Sequence, residues 1–424
     1  MRLIRYCRGD GVKRVLMVAF HFPPASMGSG HLRTLGFVRY LPEEGWEPTV
    51  LSAHSAAFPR VDENNVTAIP AGCRVHRAMG LDVQRQLSIR GKYPGFLAQP
   101  DRWSTWWVAA VWKGLRLIRQ HQINAIWSTY PIMTAHCIAH TLSRVTGLPW
   151  IADFRDPVSG SVEAGNPFSV SSQTRWERKV LDRATRVVFT TPGAMRRYAE
   201  NYPRTFRGGR MAVIPNGYDE AAFSTLPEPT ARPPRRPLRL VHSGILYPDG
   251  RDPLPFFSAL ANLKATKALA AEDISIVLRA SGSEARYQEE IRRRGLERMV
   301  TLAPLIPNRE ALLEQVDADA LLLFQGGKFD HQIPAKVYEY LRVGRPIFGL
   351  VGKGGDTESL LRESGGAKLV ALDDIPGIEK GLLEFVNALR EQRASVASKS
   401  VVRSYSRRQG TTVLAGLLDG IAVR

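Results

Sequence analysis

The sequence predicts an α/β protein of two domains, each built on a parallel sheet. Short apolar runs rich in Val, Ile and Leu alternate with helical patterns along the chain. The alternation breaks once, at the proline-rich and basic "TLPEPTARPPRRP" (225–237), and then restarts. A length of 424 residues also suits two cores better than one.

Taken in order, "RVLMVAF" (14–20) reads as the first strand. It is followed by a glycine-containing loop and the helix "HLRTLGFVRYLPEEG". "EPTVLSA", "INAIWST" and "LPWIADF" are further strands, the last two separated by the helical "IMTAHCIAHTLSRVTG". "RVVFTT" (186–191) and "MAVIPNG" (211–217) close this half, and "IPNGYD" (214–219) is a turn in which Asn-Gly supplies a positive φ. Beyond the break, "LRLVHSG", "DISIVLRAS", "MVTLAP", "ADALLLFQ" and "RPIFGLV" are five more strands. Two such sheets place ligands outside the carboxyl ends of their strands, in a cleft between the domains. The tail "SVVRSYSRRQGTTVLAGLLDGI" (400–421) carries one amphipathic helical pattern.

Composition narrows the function. Hydrophobic content of 44% and charged content of 23% are ordinary for a globular protein. Cys7, Cys73 and Cys137 are scattered, without CxxC spacing, which argues against a disulfide framework or a zinc site and fits a reducing compartment. The basic start resembles a leader, but its apolar run "VLMVAF" is too short and lacks a small-residue cleavage site. No stretch approaches the roughly 20 apolar residues of a membrane span, so a cytoplasmic protein is expected. The net charge of +18 suits nucleic acid, an anionic membrane surface or an anionic substrate. Nucleic acid is disfavoured, because no finger, RNP-like or basic-zipper pattern occurs and the basic residues are dispersed.

The segment "HQIPAKVYEYLRVGRPIFGLVG" (331–352) holds the most specific local chemistry. Pro334 suits a first helical turn, Ala335 to Val343 continue as helix, Gly344 and Pro346 stop it, and "PIFGLV" follows as a buried strand. A helix start attracts phosphate through free N–H groups and the dipole, and Lys336 adds a full charge there. Glu339, about 4.5 Å further along the axis, is placed to accept hydrogen bonds from ribose hydroxyls. A solvated surface helix is the alternative for this segment alone.

Together, "VLMVAFHFPPASMGSGHLRTLGFVRYLPEEGWEPTVLS", "DFRDP", "IPNGYDEAAF", "LVHSG" and "IPAKVYEYLRVGRPIFGLV" resemble the GT-B retaining glycosyltransferases of glycosyltransferase family 4 (group 1) type. The resemblance spans nearly the whole chain. It implies an acceptor domain over 1–222, a linker over 223–237, a nucleotide-sugar domain over 238–398 and a final helix (399–424) returning to the first domain. It also implies a metal-independent transferase without a cofactor, moving a sugar with retention from a nucleotide diphosphate, UDP by default. The acceptor would be a glycan or lipid-linked sugar of surface polysaccharide.

By the same resemblance, Gly28, Ser29 and Gly30 lie under the donor diphosphate, with His31 and Arg33 on the acceptor side. The loop is neither a GxGxxG fingerprint nor a Walker loop. Asp153, Arg155 and Asp156 of "DFRDP" take the sugar-facing catalytic region, where many members have a histidine; an ion pair capping the next helix is the competing reading. Ser243, Gly244, Arg251, Lys328, Pro334, Lys336 and Glu339 form the donor side. Members often carry two glutamates with seven residues between them; Glu339 matches the second, while His331 stands at the first, beside Asp330. A nucleotide-sugar 2-epimerase and a non-catalytic nucleotide-sugar binder are the alternatives. "DRWSTWWVAAVWKGLRLIRQ" (101–120), with four of the eight tryptophans among basic residues, suits either a membrane-surface helix or a partly buried one.

Overall fold

A computed structural model describes residues 12–26, 28–158, 167–203, 205, 209–227, 233 and 235–422. The basic start with Cys7, and the middle of the proline-rich linker, lie outside the described residues. The chain divides into two compact units, Met1–Asn216 with Arg407–Arg424, and Gly217–Ser406.

The first unit holds seven strands: β1 (Lys13–Val18), β2 (Trp46–Ala53), β3 (Arg74–Ala78), β4 (Ala125–Thr129), β5 (Trp150–Phe154), β6 (Arg186–Phe189) and β7 (Met211–Val213). They pair in parallel in the order β3-β2-β1-β4-β5-β6-β7. The alternation of β1 explains the layering: Leu16 and Val18 enter one apolar cluster and Val15 and Met17 another, so both sheet faces are covered.

The second unit repeats the plan with β8 (Leu238–Ser243), β9 (Ile274–Arg279), β10 (Val300–Ala303), β11 (Ala320–Gln325), β12 (Ile347–Val351) and β13 (Ala367–Ala371). Its parallel order is β10-β9-β8-β11-β12-β13. In each unit the order reverses beside the first strand, between β1 and β4 and between β8 and β11, which is where doubly wound sheets open a ligand crevice.

The expected strands β1, β2, β4–β7 and β8–β12 all form, within a residue or two at their ends except β7, which stops at Val213, four residues before the end of "MAVIPNG". Two strands, β3 and β13, escape the sequence. Each lies at a sheet edge and is only partly buried, so no continuous apolar run marks it.

The units divide between Asn216 and Gly217, ahead of the expected 222. The short helix Glu220–Phe223 belongs with the second unit: Phe223 is buried among Tyr218 and Val241, and Arg342 clasps Glu220 at 2.6 Å. Further along the linker, Arg235 pairs with Asp317 at 2.7 Å.

The tail forms two helices, Lys399–Ser404 and Arg407–Asp419, with a break at Tyr405 and Ser406. The second helix packs in the first unit, where Leu414 and Leu418 join Leu35, Val38 and Leu41. Asp419 there takes Lys13 at 2.6 Å and the Trp46 indole at 3.0 Å.

All eight tryptophans fall in the first unit. On and before the helix Trp106–Gln120, Trp106 is fully buried and Trp103 donates to the Ala57 carbonyl. Trp107 donates to Thr141 and packs edge-on against Trp176. Of the four tryptophans in 101–120, Trp112 alone faces outward, 65% exposed.

Candidate functional site

In the second unit the candidate site gathers where β8 and β11 end. His242 and Ser243 close β8, Gln325 closes β11, and the helix Ala335–Val343 begins beside them. Pro334 is the residue before the first turn, not within it, and provides no side-chain cap. The helix ends at Gly344 with φ of 72°, the left-handed stop that the sequence predicts.

Lys336 lies in the first turn, where no acidic residue accompanies it. A cation is unfavourable there, because the helix dipole is positive at that end. Its Nζ sits 3.1 Å from His242 Nε2. Burial, with the Lys336 charge as second cause, holds His242 well below the usual histidine range, so the ring is neutral. Its Nδ1 lies 2.8 Å from the Leu322 carbonyl and its Nε2 3.0 Å from the Gly244 carbonyl, and a neutral ring with one N–H donates to one of the two at a time. Burial, and then the Arg251 charge, lower Lys336 to about 7, against an opposing pull from Glu339.

The loops around this lysine are stitched together. Gln325, almost fully buried, accepts from Arg251 Nε at 2.7 Å and donates to the Phe329 and Gln332 carbonyls at 3.2 and 3.3 Å. The Arg251 guanidinium also lies over the Tyr247 and Phe329 rings. Gly244, at φ of 104°, leaves passage for Lys336: a Cβ there would stand 3.0 Å from Nζ.

The structure therefore brings Gly244, Arg251, Pro334, Lys336 and Glu339 to one neighbourhood. The Ser243 amide is already spent on the buried Tyr340 hydroxyl at 2.8 Å. Lys328 is exposed and paired with Asp249. Asp330 sits against Gly327 and Gly355, and burial raises its carboxyl. His242 and Gln325 were missed because each is a lone polar residue at the end of an apolar run, and Tyr340 because it counts toward the apolar face of its helix. What remains is a helix start, Lys336 and Arg251, three positive elements suited to an anion.

The first unit carries a second constellation at the ends of β1 and β5. Asp153 is fully buried, with its oxygens 2.8 and 3.3 Å from Arg33 Nε and Nη2. Arg33 also donates to the Pro215 carbonyl at 2.9 Å and stacks over Phe37. Burial pushes the Asp153 carboxyl up, and Arg33 opposes it. This pair is turned inward and holds the earlier helix Leu32–Tyr40 to β5; the expected cap on the helix that follows "DFRDP" is not what Asp153 makes.

Arg155 instead grips the turn Gly28–His31 by donating to the Gly30 carbonyl. Asp156, partly exposed, stands 3.4 Å from Arg155 Nε. A Cβ on Gly30 would lie 2.9 Å from the Arg155 guanidinium and 3.3 Å from His21 Nδ1. Thus Gly28, Gly30, His31 and Arg155 are gathered at one turn, whose Ser29 side chain is not described. His21 was missed by sequence reading. Its Nε2 is buried without a partner among the described residues, and burial, then Arg155 and His31, lower its pKa to about 3. It is a neutral imidazole with one open hydrogen-bonding position.

Residues 28–217 match the family model of the glycosyl transferase 4-like domain. The chain carries a glycosyltransferase 4-like domain on a GT-B fold. Among solved structures, sucrose-phosphate synthase from Thermosynechococcus elongatus superposes on this glycosyltransferase-like chain with a TM-score of 0.64 at 13% identity, covering 96% of this chain and 98% of that one. Anabaena HepE in complex with UDP and glucose gives 0.63 at 14%, covering 96% and 100%. The lipopolysaccharide outer core galactosyltransferase WaaB gives 0.60 at 10%, covering 95% and 99%. No curated protein sequence matches significantly.

Proposed function

We propose that this chain is a retaining glycosyltransferase that takes a sugar from a nucleotide diphosphate, UDP by default. The observation supporting it most directly is Lys336, a buried lysine in a helix's first turn, lowered to about 7 and facing a neutral histidine. Such a group is poorly satisfied until an anion arrives. A bound diphosphate supplies the missing negative charge to Lys336, Arg251 and the helix start, while Glu339 takes the ribose hydroxyls. Lys328 is a further donor-side cation, reached by exchanging Asp249 for phosphate.

In the reaction, the acceptor hydroxyl attacks the anomeric carbon on the face from which the diphosphate departs. The bond from that carbon to the diphosphate oxygen breaks, the bond to the acceptor oxygen forms, and the hydroxyl proton passes to the leaving phosphate. Charge grows on the diphosphate as this happens, and fixed cations stabilise it. Because the chain supplies those cations, we propose that no obligate metal or cofactor takes part. On the first unit, Gly28, Ser29 and Gly30 meet the donor, and His21, His31 and Arg155 meet sugar or acceptor hydroxyls. Asp156 adjusts Arg155, and Asp153 with Arg33 acts from behind as a positioning pair. The acceptor we propose is a glycan or lipid-linked sugar of surface polysaccharide, met by a cytoplasmic enzyme attached to the membrane's inner face. Among the described residues no helix is long and apolar enough to cross a membrane.

Thermal stabilisation by UDP, GDP, ADP and their sugars tests the donor side, with Glu339→Ala alongside. One diphosphate should raise the melting temperature of the wild type, and Glu339→Ala should lose at least about tenfold in affinity for it. Stabilisation by none of them removes the donor reading. Conversion of the donor sugar without acceptor, into its C2 epimer, would favour the epimerase alternative instead.

A further inference from the structure

The acceptor reading leaves open how the protein reaches a lipid-linked substrate, and the helix Trp106–Gln120 presents an outer stripe with its own chemistry. Val108, Trp112, Arg116 and Arg119 recur at helical spacing and all face solvent. The stripe is apolar in its first half and basic in its second. Beside it, the chain leaving β3 sets Met79 next to Val108 and Trp112 around an apolar groove of about 600 Å3, with Lys113 at its border. Met79 is 59% exposed, Val108 80% and Trp112 65%.

Charge distinguishes this surface from an ordinary apolar patch. From Val83 to Trp150 the chain holds eight basic residues and one acidic residue, Asp101. That carboxylate is buried and accepts from Thr134 and Trp103, so it contributes no charge to the surface. A protein partner with an apolar core normally meets a rim of mixed sign. A stripe of exposed Trp, Val and Met continued by cations alone is complementary to a layer whose outer charges are negative and whose interior is apolar.

We infer that Met79, Val108 and Trp112 insert at the headgroup boundary of an anionic bilayer while Arg116 and Arg119 lie along its phosphates; Lys113, half-buried, is held by the Arg77 carbonyl. This deepens the lipid-linked acceptor reading and rests on it for its biological meaning, though the binding itself requires no nucleotide. Because the cations lie at the water boundary, their attraction is screened over roughly 10 Å at 0.1 M salt. The apolar insertion is not screened in this way. The two halves of the stripe therefore differ in salt response.

The test is co-sedimentation of the full chain with phosphatidylcholine vesicles, with and without a third of phosphatidylglycerol, at low and at 0.3 M salt. Wild type should bind the anionic vesicles and bind the neutral ones at least about tenfold more weakly. Val108→Ser with Trp112→Ser should reduce anionic binding about tenfold or more. Arg116→Glu with Arg119→Glu should do likewise and should remove most of the salt dependence. All four positions are exposed, so folding is not at stake, and Leu305→Ser, 83% exposed in the second unit, should bind as wild type does. Absence of vesicle binding, equal binding to neutral vesicles, or binding unchanged by the Val108 and Trp112 substitutions overturns the inference. Stabilisation by the nucleotide diphosphate, measured on the same preparations, reports the donor reading separately from this surface.

Discussion

Lys336→Met will lower affinity for the nucleotide diphosphate by at least about 100-fold and bring sugar transfer close to background, because it removes the charge closest to the helix start. The same change will stabilise the unliganded protein. Lys336 is lowered from 10.5 to about 7 in the folded state, so between those values the unfolded chain binds the proton more tightly. The charged lysine therefore costs stability, fully below about pH 7 and not at all above about 10.5. The gain from the methionine should be largest at pH 6 to 7 and should fade as the pH rises, as denaturant titrations at pH 6.5 and 9.5 will show. A stabilised, non-binding variant separates a ligand site from a structural lysine, whose removal leaves binding intact.

Proton linkage gives the same lysine a second signature. Diphosphate binding raises the Lys336 pKa, so protons are taken up on binding near and above pH 7. Affinity should fall by up to tenfold per pH unit above about 7, where phosphate ionisation with a pKa near 6 is already complete. Calorimetry in buffers of different ionisation enthalpy will measure the uptake, and Lys336→Met should abolish it.

Asp153→Ala should be the most destabilising single change in the first unit. It leaves Arg33 buried opposite no carboxylate, a situation that costs about 3–5 kcal/mol. Arg33→Met combined with Asp153→Leu should recover much of that loss, since a buried pair replaced by apolar groups is often neutral. Chemical denaturation of the three variants will decide it. Full stability of Asp153→Ala, with loss of transfer alone, would return Asp153 to a direct role in the chemistry.

The sheets were legible because buried parallel strands write themselves as apolar runs: β1, β4, β11 and β12 are buried along most of their length. The edge strands β3 and β13 were not, because partial exposure mixes their composition. The Lys336 helix was legible from its proline, its glycine and its apolar face. Its supports were not, since Gln325 and His242 come to it from two different strands, and Tyr340 of the helix itself is engaged by the Ser243 amide at the end of a strand almost a hundred residues earlier. The sequence reading also gave Asp153 an open position because an acid at a strand end offers no sign of burial. Only the fold brings Arg33, 120 residues earlier, against it.

The confinement of every tryptophan to the first unit divides the molecule optically. Indole emission follows Met1–Asn216 and the final helix, and the second unit, with its candidate nucleotide cradle, is dark at those wavelengths. Circular dichroism sees both sheets. Heating curves recorded by the two methods on one sample therefore give, without any label, a reading of whether the two units melt as one cooperative body or in sequence.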